Sequence, residues 1–286
     1  MPFTLSHAAA VLPAVRSDGT GRGRLLPTVL IAGSFAPDMT YYAASAMSGA
    51  MEFGEVTHSF PGVFTVDVVI AWALVGLWLL LREPLVALLP RAWQAPWAGL
   101  LRCGAPLTPV GPRRALWWYV SAALGALTHV VWDAFTHLDR WGMRLFPVLG
   151  REVAGSPLYW YLQYGGSAVA AVFIAVFVVR ALRRAPVAGP VGVPVLSVRD
   201  RWTAAAVVGA VVVVATVRRL TRWWEYRGAH SAKPWEVIPT LCFGAGAGLV
   251  TGLLLYAVGV RLWRPAPREH AAVVSAGAGP GGPGGR

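Results

Sequence analysis

The chain has 286 residues, is 56% hydrophobic and only 13% charged, and its mean hydropathy is +0.55. Soluble domains are about a quarter charged, so this composition argues against a soluble fold and for an integral membrane protein. The net charge of +12 is carried almost wholly by arginine, Lys233 being the sole lysine, and the basic residues cluster between apolar runs. That is the pattern of loops flanking membrane spans rather than of a nucleic-acid-binding surface.

In chain order, Met1 to Val15 is apolar and holds no basic residue before Arg16. A secretory signal needs a basic stretch before its apolar core, so this segment is expected to be retained. Pro2 to Val15 forms a short helix of about 20 Å at 1.5 Å per residue, re-entrant or interfacial, carrying His7. Leu25 to Ala44 is a weaker span, interrupted by Pro37-Asp38. Five runs approach the length of about 20 apolar residues that a bilayer requires: 62–81, 115–137, 158–179, 202–217 and 238–260. The sequence thus predicts an all-α, polytopic helical membrane protein with five to six transmembrane helices plus the short N-terminal helix. Its single membrane domain covers 1–264, followed by a disordered Gly/Pro-rich tail over 265–286. Trp117, Trp118, Trp141, Trp160, Trp223 and Trp224 sit near span ends as interface anchors. Gly244, Gly246 and Gly248 read as small-residue helix packing. Cys103 and Cys242 have no metal-ligand spacing and make no disulfide framework.

Connections 16–24, 82–114, 180–201 and the tail carry 17 basic residues, against 8 in 45–61, 138–157 and 218–237. The richer side should be cytoplasmic, which places the C-terminus in the cytoplasm of a cell whose inner membrane holds the chain. The five basic residues of 218–237 run against this count.

The chemistry concentrates in Thr128-His129-Val130-Val131-Trp132-Asp133-Ala134-Phe135-Thr136-His137, an H-x-x-x-D-x-x-x-H pattern. Steps of four keep side chains on one helix face. His129, Asp133 and His137 therefore form a polar stripe at the end of an apolar run, where ionisable groups are costly and point to function. The stripe suits metal ligation or a hydrogen-bonded seam between helices. Asp38 and His58 fall on the same predicted face, and His7 joins them if its helix dips in from outside. The expected ligand set is His7, Asp38, His58, His129, Asp133 and His137. Intramembrane Asp67 would orient a histidine. Histidines with carboxylates suit zinc, manganese or iron(II) better than calcium or magnesium. Asp38 or Asp133 would act as general base toward bound water. More than four donors leave room for two metals, and Arg218, Arg219 and Arg222 would hold a phosphate.

The opening Met1-Pro2-Phe3-Thr4-Leu5-Ser6-His7, then Gly33-Ser34-Phe35-Ala36-Pro37-Asp38, Thr57-His58-Ser59 and the 124–137 segment resemble a bacterial membrane family known as domain of unknown function 4184. Trp141-Gly142, Pro157-Leu158-Tyr159 and Leu162-Gln163-Tyr164 fit as well. More distantly, the order of histidines and aspartates is similar to YdjM-type inner-membrane metal-dependent hydrolases, and to zinc-dependent phospholipase C and the S1/P1 nucleases. That resemblance implies the same six residues as metal ligands and phosphoesters or phospholipid headgroups as substrates. The alternative is a non-enzymatic membrane protein, either a metal-stabilised scaffold or a small-ion carrier. A carrier needs acids through the depth of the membrane, and only Asp67 clearly lies inside a span.

Overall fold

The computed structural model describes residues 3–47, 49–102, 111–184, 192–227 and 234–264. The predicted tail, with His270, lies outside the described residues, as do Cys103, His230 and Lys233. Seven helices of nine residues or more make up the body: α1 (Pro27–Phe35), α2 (Val66–Leu88), α3 (Arg91–Arg102), α4 (Pro112–Ala134), α5 (Leu158–Arg184), α6 (Val198–Arg227) and α7 (Ile238–Trp263). Among the described residues strand is confined to a two-residue antiparallel pair, Glu152–Val153 with Ser156–Pro157. Helices α2, α4, α5, α6 and α7 are long and apolar enough to cross a bilayer. The chain is therefore a multi-pass helical protein suited to a lipid bilayer, where helices satisfy their own backbone groups.

The sixth candidate, Leu25 to Ala44, is not a span. Its helix stops at Phe35, and Ala36–Asp38 winds as a 3₁₀ turn before a short helix over Met39–Ala43. Pro37 explains the break, because it lacks the N–H that an α-helix needs there. The N-terminal segment likewise forms three short pieces, Thr4–His7, Ala8–Val11 and Leu12–Ala14, instead of one helix. A turn joins it to α1, fastened by Arg184 donating to Ser17 and by Arg24 lying 5.9 Å over the Trp117 ring. Residues 4–38 thus form short helical pieces, none long enough to cross a bilayer.

Small residues decide the packing. An added Cβ at Gly33 would lie 2.3 Å from the Ala122 carbonyl oxygen, and one at Gly125 2.2 Å from that of Leu30. Helices α1 and α4 therefore meet backbone to backbone. Val29, Ala32, Val68, Ala71, Val75 and Ala122 fill the core shared with α2. Helices α6 and α7 pair in the same manner. Gly244 and Gly248 of the expected run, continued by Gly252, face the Thr216, Val212 and Val208 Cα atoms, whereas Gly246 faces the Tyr42 ring. Pro84 inside α2 leaves the Leu80 carbonyl without its helical donor; Arg261 of α7 donates to it, and Tyr256 donates to Pro84 O at 2.9 Å. The outer faces of α5 and α6 expose Val172, Phe173, Val213 and Val214, the surface a helix presents to lipid.

Candidate metal centre

Three elements converge on one point. Helix α4 brings His129 and Asp133 one turn apart, the turn after α1 brings Asp38, and the short helix Gly54–Thr57 ends at His58. All four are buried, His129 completely and the others below 9% exposure. Each offers one donor atom, and these atoms lie within 4.8 Å of one another.

The same four atoms define every close approach. His129 Nε2 is 3.3 Å from Asp133 Oδ2 and 3.5 Å from Asp38 Oδ1. His58 Nε2 is 3.7 Å and 3.6 Å from those same oxygens. A tetrahedral cation with bonds of about 2.0–2.1 Å holds its ligand atoms about 3.3–3.4 Å apart by simple geometry. The four nitrogen–oxygen edges, at 3.3–3.7 Å, are close to that spacing, within a set that spans up to 4.8 Å.

The far side of each ring fixes what its near side can do. His129 Nδ1 is 2.7 Å from Ser34 O, and His58 Nδ1 is 2.9 Å from Gly54 O. Carbonyl oxygens only accept, so both Nδ1 atoms carry hydrogen and donate. In the neutral rings Nε2 is then a bare lone pair aimed at two carboxylates. His129 Nε2 is buried and has no hydrogen bond. Lone pairs facing carboxylate oxygens repel unless positive charge stands between them. A donor set of two imidazoles and two carboxylates, oriented through backbone carbonyls, fits a divalent transition metal.

Asp38 is held on its other side. Thr4 Oγ1 donates to Asp38 Oδ2, and Tyr42 OH donates to Thr4 Oγ1 at 3.1 Å. Burial raises the Tyr42 phenol to about 12, so it stays a neutral donor. Burial alone would raise the Asp38 carboxyl, but a protonated His129 ring beside it holds it well below the usual carboxylate range. The carboxylate therefore stays ionised and asks for a cation, whether protons on the rings or a metal.

Of the six expected ligands, four form the common cage and two adjoin it. His7 stacks on His129 with ring centroids 3.6 Å apart, and its Nε2 is 3.5 Å from Asp133 Oδ1. His137 lies past the end of α4, which stops at Ala134, so the stripe is not one uninterrupted helix face. The His137 N–H still bonds Asp133 O, which brings its Nδ1 within 3.5 Å of Asp133 Oδ2. The Gln163 side chain donates to His137 Nε2 at 2.9 Å. Asp67 is fully buried in the first turn of α2, with neither oxygen hydrogen-bonded, so it orients no histidine by direct contact. Arg219 donates to Tyr41 O at 3.0 Å and Ser45 Oγ at 2.9 Å, and Arg222 to Ser45 O at 3.3 Å. Both fasten the 41–45 segment. Among the described residues the Arg218 side chain makes no hydrogen bond or ion pair.

Thr4, Tyr42 and the Ser34 and Gly54 carbonyls escape sequence reasoning. Backbone acceptors carry no side-chain signal, and a threonine 34 residues from Asp38 has no spacing to betray it. Residues 1–258 match a family described as Domain of unknown function (DUF4184). No curated protein and no solved structure matches the chain.

Proposed function

For this chain, which belongs to the DUF4184 family, we propose a membrane-embedded metal-dependent hydrolase with Asp38, His58, His129 and Asp133 as the ligands of one divalent metal. Zinc is the first choice, with manganese or iron(II) as the alternatives, and the substrates are phosphoesters or lipid headgroups. The observation that carries this reading is the pair of Nδ1-anchored histidines whose Nε2 atoms share two carboxylate oxygens at 3.3–3.7 Å.

A bound divalent cation supplies a Lewis acid and a water of lowered pKa. The chain's own residues do the rest. The Ser34 and Gly54 carbonyls fix both rings, Thr4 fixes Asp38, and burial shields the donors from bulk water. Asp38 and Asp133 are the groups placed to take a proton from a reacting water. His7 and His137 flank Asp133 and tune its basicity. The fewer basic residues in the connections around the cluster support an outer-face location in the inner membrane.

Four protein donors also suit a closed structural site, because catalytic zinc keeps a position open. That favours the metal-stabilised scaffold as the second reading. One experiment separates them: metal analysis of purified wild type, His129→Ala and Asp133→Ala, with hydrolysis assays on bis(4-nitrophenyl) phosphate and on phospholipid vesicles. Stoichiometric metal with chelator-sensitive hydrolysis supports the enzyme, and metal without hydrolysis supports the scaffold. Wild type without metal removes both.

A further inference from the structure

The cage does not lie sealed in the bundle. A cavity of about 210 Å³ opens beside it, walled by His58 and Asp133 of the cage and by Asp139, Arg140, Trp141 and Arg144 of the loop after α4. We propose that this cavity binds an anionic ligand through its phosphate group, clamped by Arg140 and Arg144. These two arginines replace Arg219 and Arg222, whose guanidinium groups donate to Tyr41 and Ser45 instead.

Three observations carry the assignment. The first is charge. Arg140 precedes the short helix Trp141–Leu145 and Arg144 lies within it, four residues on, and both line the cavity. Neither forms an ion pair among the described residues, and Arg140 hydrogen-bonds the Tyr41 side chain. Asp139 offsets one of the two positive charges and Asp133 the other, so the wall is net cationic once a cation in the cage takes up the Asp133 charge. Like charges four apart repel, and a bidentate oxyanion is the partner that relieves the repulsion.

The second is rigidity. An added Cβ at Gly142 would lie 2.3 Å from the Ala134 carbonyl oxygen, so the arginine turn sits directly on the end of α4. Trp141 packs edge-on against Phe135 at 5.3 Å and lies 6.1 Å from Phe60. Asp139 turns the chain with φ of 64°, the left-handed region few residues adopt. The backbone that carries the pair is therefore fixed before any ligand arrives, with Arg140 half-buried and Arg144 exposed.

The third is size and setting. A volume of about 210 Å³ falls below the roughly 300–1,000 Å³ of drug-sized pockets. It suits a phosphate with a small substituent. Leu138, Leu145 and Phe146 beside the arginines are more than half exposed, so the rim offers apolar side chains to a bilayer surface. Phosphate is the shared chemistry, and its source is either a lipid headgroup or a water-soluble phosphoester.

The pocket rests on the metal-centre reading for its net charge and for what the phosphate meets once bound, and the test keeps the two apart. Full-length protein in detergent is titrated with phenyl phosphate by calorimetry, and protein in phosphatidylcholine nanodiscs is compared with and without phosphatidic acid. Arg140→Gln and Arg144→Gln should each weaken binding about 10-fold or more, as loss of a charge-assisted hydrogen bond implies. Arg140→Lys should fall between, and Arg151→Gln, on the same loop outside the cavity, should match wild type. Metal content and melting temperature of the arginine variants should be unchanged. Binding in detergent identifies a soluble phosphoester, and binding only with phosphatidic acid identifies a lipid phosphate. Binding that ignores Arg140 and Arg144, that falls equally in Arg151→Gln, or that is absent from both preparations overturns the assignment. Arginine-dependent binding by metal-free wild type would instead sink the metal centre and leave the pocket standing.

Discussion

Asp133→Asn is the most discriminating single substitution. The side chain keeps its volume, so no cavity opens, but the charge disappears from the middle of four imidazoles. Its Oδ2 faces His129, His137 and His58 at 3.3, 3.5 and 3.7 Å, and its Oδ1 faces His7 at 3.5 Å. Losing an orienting neighbour of a ligand lowers metal affinity about 10–100-fold, and loss of a ligand itself should exceed the upper figure. A metal present at about 100 times its dissociation constant stabilises the folded state by about 2.7 kcal/mol. At roughly 2–4 °C per kcal/mol for a chain of this size class, chelation should lower the wild-type melting temperature by about 5–10 °C. The Asn variant should lack stoichiometric metal and melt at the same temperature with or without chelator. The competing state is a proton-charged cage, in which imidazolium ions pair with Asp38 and Asp133. There the substitution strands buried positive charge at a cost of about 3–5 kcal/mol, and chelator changes nothing in either protein. Elemental analysis together with differential scanning fluorimetry reads both quantities. A wild-type protein without stoichiometric metal whose melt ignores chelator refutes the metal centre.

Thr4→Val removes the donor to Asp38 Oδ2 and should weaken metal binding about 10–100-fold while the protein still folds, as metal titration of the purified variant would reveal. Gly125→Ala drives a methyl into the α1 backbone, costing about 1–3 kcal/mol. It should lower the melting temperature and the metal content together, because Ser34 can no longer reach His129. For orientation, a cysteine at Val148 in a cysteine-free background should react with an impermeant maleimide on intact cells, whereas one at Trp93 should react only after permeabilisation. The reverse labelling pattern would put the cluster on the cytoplasmic side. Val148 follows α4 and Trp93 lies in α3, and both are exposed.

Much of the fold is legible because the bilayer imposes a crude requirement. A run of apolar residues long enough to cross must be helical, and the five runs in this chain are the five long apolar helices. Their ends are less legible: the run expected over 202–217 belongs to a helix from Val198 to Arg227, since basic and aromatic residues extend a helix as readily as apolar ones. The weak span at Leu25 shows the limit. Its apolar content resembles that of a crossing helix, yet Pro37 divides it, and the close approach of Gly33 and Gly125 settles where the half-helix lies. Helix α3 lies within the 82–114 connection and is illegible there, because its polar and apolar residues interleave without an apolar run.

By itself the sequence determined that the chain lives in a membrane, that His129 and Asp133 share a helix face, and that Asp38 and His58 lie near the same end. Residue type and spacing carry that information, because hydropathy and the helical period are local properties. Only the tertiary structure decided which donors share one centre. His137 falls beyond the end of α4 and His7 stacks on His129, so both adjoin the four-atom cage formed by Asp38, His58, His129 and Asp133. It also showed the arginines of α6 bonded within the protein, Arg219 to Tyr41 and Ser45 and Arg222 to Ser45. The physical reason is common to both. A ligand site is fixed by the direction of lone pairs, and here those directions are set by the Ser34 and Gly54 carbonyls, which every residue possesses and no sequence pattern marks.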